Sequence, residues 1–144
     1  MVATGCRHDH VNADVNLYSA PFDRLIGLDY VEAGPDGATA RLEVKEGLLQ
    51  PAGIVHGGVY CAVIESMASV SGFLWLRENG GGDVVGVNNN TDFLRAITAG
   101  TVHATSEPIH RGRRQQLWLV TIRDDAGKPV ARGQVRLQNI PKAG

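Results

Sequence analysis

"GIVHGGVYCAVIESMASVSGFLWL", residues 53–76, decides the fold. From Gly57 to Leu76 the run carries one charged side chain, Glu65, among small and apolar residues. Its length and its Ala, Ser, Leu and Met content predict a helix rather than a strand. A helix apolar nearly all round must be covered on most sides, so other elements, or a second copy of the chain, have to wrap it. The run is nearly long enough to span a membrane. A charge at mid-span, diluted further by Ser66, Ser69, Ser71 and glycines, sets that reading aside.

The flanking sequence supplies the wrapping. Upstream, "SAPFDRLIG" predicts a short helix with Ser19 as cap, Pro21 in the first turn, Phe22, Leu25 and Ile26 as its apolar stripe and Gly27 as its stop. "LDYVEA" reads as a strand closed by the turn "GPDG". In "TARLEVK", Ala40, Leu42 and Val44 alternate with Thr39, Arg41, Glu43 and Lys45. Downstream, strands are expected over roughly 84–93, 101–109, 115–123 and 130–139, the last two joined by "DDAGKP". The fold class is α+β: an antiparallel sheet curled around one long helix. Residues 14–144 form the single domain, and 1–13 are expected to be a mobile tail.

The 144 residues suit one core of ordinary size, and a net charge of −1 gives no reason to expect nucleic acid or an anionic membrane as partner. The polar start "MVATGCRHDH" offers no apolar segment for secretion, and two cysteines, Cys6 and Cys61, make no disulfide framework. A cytoplasmic location is expected. Cys6, His8 and His10 have the chemistry of metal ligands, but in a frayed terminus such spacing is incidental. Neither metal nor cofactor is expected.

A buried unpaired carboxylate costs several kcal/mol, so Glu65 needs a reason. One is structural: an arginine met in the core or at an interface. The other is chemical. Its helical neighbours Cys61, Ala62, Ala68 and Ser69 are small, which leaves room for a ligand, and Ser69 is placed to bind a water or the carboxylate. At the helix start, the glycines of His56-Gly57-Gly58 let backbone approach a ligand. Unpartnered first-turn amides there suit an oxyanion. Gly57 and Glu65 lie about 12 Å apart along the helix axis, too far to share one carbonyl within a chain. Two helices antiparallel across a dimer close that gap.

The segment resembles the active-site motif of hotdog-fold acyl-CoA thioesterases of the phenylacetate-degradation (PaaI-like) type, with 4-hydroxybenzoyl-CoA thioesterase in the same motif class. The matching residues are Gln50, His56, Gly57, Gly58, Glu65 and Ser69, and the likeness runs from about Phe22 to Leu137. The resemblance implies hydrolysis of an acyl-CoA thioester. Gly57 would polarise the carbonyl through its amide, Gln50 orient it and His56 position the loop. Glu65 of the facing subunit would act as general base or nucleophile, with Ser69 holding the water. A general base is the favoured role, and either suits a carboxylate made more basic by apolar surroundings. A homodimer, assembled as a dimer of dimers, is implied as well.

A coenzyme A substrate calls for cations at the pocket mouth. Arg95, Arg111, Arg113 and Arg114 are the candidates, with Gly112 admitting the pantetheine arm. The family's "FLRPA" reads "FLRAI" here, and Ser69 stands where threonine or aspartate is common. Two other classes compete. A hotdog enoyl-thioester hydratase or dehydratase needs a paired His and acid, which His56 and Glu65 make poorly. An acyl-CoA-binding module without activity would need no Glu65. His103, His110 and the run Asn88-Asn89-Asn90 receive no role.

Overall fold

The computed structural model describes residues 18–143; the tail with Cys6, His8 and His10 lies outside them. Helix α1 (Pro21–Ile26) leads into strands β1 (Leu28–Gly34) and β2 (Gly37–Glu43). A 3-10 turn at Glu46–Leu48 precedes the central helix α2 (Gly57–Glu78). Strands β3 (Asp83–Phe93), β4 (Thr101–Arg111), β5 (Gln115–Arg123) and β6 (Pro129–Ile140) follow. All six strands form one antiparallel sheet in the order β1-β2-β4-β5-β6-β3, and α2 packs against every one of them.

The alternation expected in β2 holds, with Ala38, Ala40 and Leu42 buried and Arg41 outside, where it pairs with Asp29. In β5 and β6, Trp118, Val120, Ile122, Val135 and Leu137 face the helix and are fully buried. They pack on Tyr60, Val63, Ile64, Met67 and Ala68 of α2. Although α2 has the length and apolarity of a membrane span, it is the core helix of this sheet. Gly72 lets it approach the sheet, since a β-carbon there would collide with Leu137.

The short helix departs from its sequence reading. Ala20, not Ser19, caps α1, with the Asp23 carboxylate accepting from the Ala20 amide at 3.1 Å. Phe22 and Leu25 are exposed, whereas Asp23 is 2 % exposed. Six residues make too short a helix to present an apolar stripe. What anchors it is Asp23, which accepts a 2.6 Å hydrogen bond from the Ser66 hydroxyl of α2. Gly27 ends the helix as expected, at φ 84°.

Candidate active site

Helix α2 begins at Gly57 because the loop before it is tied down at several points. The Val55 amide donates to Ile97 O and the His56 amide to Leu48 O, both at 2.9 Å. His56 is the N-cap: its Nδ1 accepts from the Gly58 amide at 2.8 Å, so a neutral ring carries its proton on Nε2. This bond settles which glycine amide is free. Gly58 N–H is spent on the cap, whereas Gly57 N–H has no acceptor among the described residues. Gly57 also packs tightly beneath Phe93, where a β-carbon would stand 2.8 Å from the ring. Gln50 closes its own loop, its side-chain oxygen accepting from the Ala52 amide.

Two turns along, Glu65 is half-buried on the face of α2 turned toward β3. It meets polar groups as well as apolar ones. Its Oε2 accepts from Asn89 Nδ2 at 3.1 Å, and its Oε1 lies over Gly86, where any β-carbon would overlap it. No arginine of the same chain reaches it among the described residues, so the structural alternative of an ion pair inside the core falls away. Beside it opens a cavity of about 410 Å³, bounded by Glu65, Ser69, Val70, Phe73, Tyr18 and the Asp23–Ser66 pair. Ser69 therefore shares a cavity with the carboxylate.

Tyr30 and Tyr60 are buried with hydroxyls that have no partner among the described residues, and burial raises both phenol pKa values. The Asp23 charge beside Tyr30 adds to that rise, although the two make no hydrogen bond of ordinary geometry.

The arginines divide between the two ends of the helix. Arg95 follows Phe93, near the Gly57 end, and forms a 2.6 Å ion pair with Asp124. Arg111 is held at the other end. It donates to Pro35 O and Asp36 and lies 5.9 Å from the Trp75 and Trp118 rings. Trp75 is about 27 Å along the axis from Gly57, so Arg111 and the Gly57 amide are not neighbours within one chain. Arg113 and Arg114 are exposed in the β4–β5 turn. Gly112 serves that turn: its amide donates to Gln115 O, and a β-carbon would crowd His110. Among the described residues no three His, Cys, Asp or Glu side chains gather as a metal site.

Three participants escaped the sequence. Gly86, inside a strand, carried a legible signal, since such a glycine marks close approach. The asparagine run was odd for a strand, but nothing singled out Asn89. Asp23 gave no sign of being buried.

A long helix held in the concave face of a six-stranded antiparallel sheet, with an acid on its exposed side and a free amide at its start, defines a hotdog thioesterase. The comparisons agree. A family model described as "Thioesterase superfamily" matches residues 52–131, and the chain belongs to that superfamily. "Putative esterase Rv1847" of Mycobacterium tuberculosis is 64% identical over 123 residues, covering 85% of this chain and 88% of that protein. Its solved structure superposes with a TM-score of 0.85 over 87% of this chain and all of that one. "Proofreading thioesterase EntH" of Cronobacter turicensis is 34% identical over 72% of this chain and 74% of its own. The structure of AziG from S. sahachiroi is 48% identical, with a TM-score of 0.81 over 85% and 98% of the two chains. The protein is thus an enzyme of the thioester-hydrolase class.

Proposed function

We propose that the chain hydrolyses an acyl-CoA thioester to the free acid and CoA, working as a homodimer in the cytoplasm. The observation that carries this is the cavity of about 410 Å³ at Glu65, which opens beside a carboxylate that pairs with no cation among the described residues. Glu65 takes a proton from a water held by Ser69, and the hydroxide attacks the thioester carbonyl carbon. The oxyanion is received by the Gly57 N–H of the other subunit. Collapse of the tetrahedral intermediate expels the thiolate, which takes up a proton. Direct attack by Glu65 would instead give an anhydride that water then opens. His56 Nε2–H and the Gln50 amide are the further groups placed to orient the substrate at the helix start.

The second subunit is supported by what one chain leaves open. Cys61, Ala62, Glu65, Ser66 and Ser69 form a half-buried stripe along α2. At the sheet edge beside it, β3 exposes Val85 and Val87. An isologous pairing that sets Gly57 against Glu65 of the partner subunit centres on Cys61. It places the partner's Arg111–Arg114 turn about 15 Å beyond Gly57, toward the side where CoA's long arm leaves. Arg113 and Arg114 are then the phosphate contacts and Arg111 the pinned base of their turn. Arg95, at the same end of α2 as Gly58, completes the mouth. Two such dimers make the tetramer that the family resemblance implies.

The test is a thiol-release screen over acyl-CoAs with wild type and Glu65→Gln. The variant should keep its fold and lose about two to four decades of turnover. Retained turnover in the variant would refute the chemistry. Tight binding without thiol release across the panel would favour a non-catalytic binding module, and hydration of an enoyl thioester a hydratase.

A further inference from the structure

The proposed base is held in place by a strand to which the sequence assigned nothing. Asn89 Nδ2 donates to Glu65 Oε2 at 3.1 Å and to the Cys61 carbonyl at 3.0 Å. The other end of the amide is fixed as well, with Thr91 Oγ1 donating to Asn89 Oδ1 at 2.7 Å. A flipped amide would turn its oxygen onto two acceptors, so the chemistry allows only this orientation. On the carboxylate side, Oε2 is occupied, whereas Oε1 has no hydrogen-bond partner among the described residues.

How Asn89 comes to face the helix is a matter of register. Gly86 pairs with Leu137 and Asn88 with Arg136, leaving Val87 as an extra residue in β3. Past this bulge the strand changes phase. Asn89, Thr91 and Phe93 pair with Val135, Gly133 and Ala131, which are buried on the helix side. Without the bulge, Asn88 and Asn90 would point there instead.

We infer that Asn89, itself fixed by Thr91, is a positioning residue that holds one oxygen of Glu65 so that the other, Oε1, is presented to the attacking water. This rests on the proposed role of Glu65. The charged and titratable groups near this carboxylate are Tyr18 and Asp23 across the cavity, Asp83 on β3 and Cys61 one turn back on α2. None of them donates to it in the structure, so among the described residues Asn89 is its one side-chain donor.

The experiment is a double-mutant cycle between Asn89→Ala and Glu65→Gln, read as kcat and KM for thiol release, with melting temperature and native mass alongside. Asn89→Ala should lower kcat about tenfold to a hundredfold, as removal of an orienting partner does at other sites, with KM changed less than about threefold. In the Glu65→Gln background the same substitution should cost little, because Asn89 acts through the carboxylate. Thr91→Val should reproduce part of the loss and Thr91→Ser restore it. Wild-type kcat in Asn89→Ala, or an equal loss in both backgrounds, overturns the inference. So does a loss of kcat that merely follows a lowered melting temperature. If Glu65→Gln itself turns over normally, the base assignment has failed instead, and the two failures are told apart by that one variant.

Discussion

The imidazole Nδ1 of His56 accepts the Gly58 amide at 2.8 Å, which leaves the Gly57 N–H at the start of α2 without an acceptor among the described residues. The proposed catalytic motif and the helix cap are here the same three residues. His56→Ala should therefore do two things. It removes an N-cap, costing about 1 kcal/mol of stability, and it loosens the oxyanion amide, lowering kcat. His56→Asn, which keeps an acceptor for the cap, should recover stability and part of the turnover. Thermal denaturation beside thiol-release kinetics separates the two effects.

The close fit of Phe93 over Gly57 makes a second prediction. Gly57→Ala puts a methyl group 2.8 Å from the Phe93 ring and should displace either the ring or the helix start, with loss of turnover. Trimming the neighbour relieves the crowding. The double variant Gly57→Ala with Phe93→Ala should regain more activity than independent effects allow. Additive losses in the cycle would count against this packing.

Gly86 sits under the Glu65 carboxylate, with no space for a β-carbon. Gly86→Ala should expel the carboxylate from its seat and lower kcat by about one to two decades, within the range that general-base positioning commands. The fold should survive, because Gly86 lies in an exposed edge strand. A circular-dichroism spectrum like wild type, with near-normal kcat, would contradict the assigned contact.

Ionisation sets limits to stability at both ends of the pH scale. Asp124 is held below its usual pKa of 3.8 mainly by the Lys128 amide, with help from Arg95 and the Ala126 amide. Asp125 is lowered by His103 and the Thr101 amide. A depressed carboxylate stabilises the fold above its unfolded pKa, and that stability is lost as pH falls through the folded value. Asp124→Asn should thus lower the melting temperature at pH 7 more than at pH 3. Tyr30 behaves in the opposite sense. Burial raises its pKa, so stability is intact below the ordinary value of 10.0 and declines above it. Tyr30→Phe should flatten that alkaline decline, and because the hydroxyl is unpartnered it should cost little at neutral pH. Melting curves from pH 3 to 11 test both arms.

The order of residues was enough to read the main elements and the motif. Local hydrophobic pattern suffices for a helix apolar on most faces and for alternating strands, and the spacing from His56 through Glu65 to Ser69 is fixed once the segment is helical. A glycine amide at the helix start and the small-residue face around Glu65 were legible for that reason, whereas the choice of Gly57 over Gly58 came from the family resemblance. What the tertiary structure alone decided lies in contacts between distant segments. Asp23 is buried because Ser66, far along the chain, supplies a hydroxyl, and no local pattern marks a carboxylate for that fate. Arg111 is pinned by Asp36 and Pro35 across the sheet rather than left free. The phase of β3 is the sharpest case. Strict alternation would have carried Asn88 and Asn90 to the helix side, but one extra residue at Val87 turned Asn89 there instead. A bulge answers to the pairing of one whole strand with its neighbour, so its position is a property of the sheet rather than of the eleven residues that contain it.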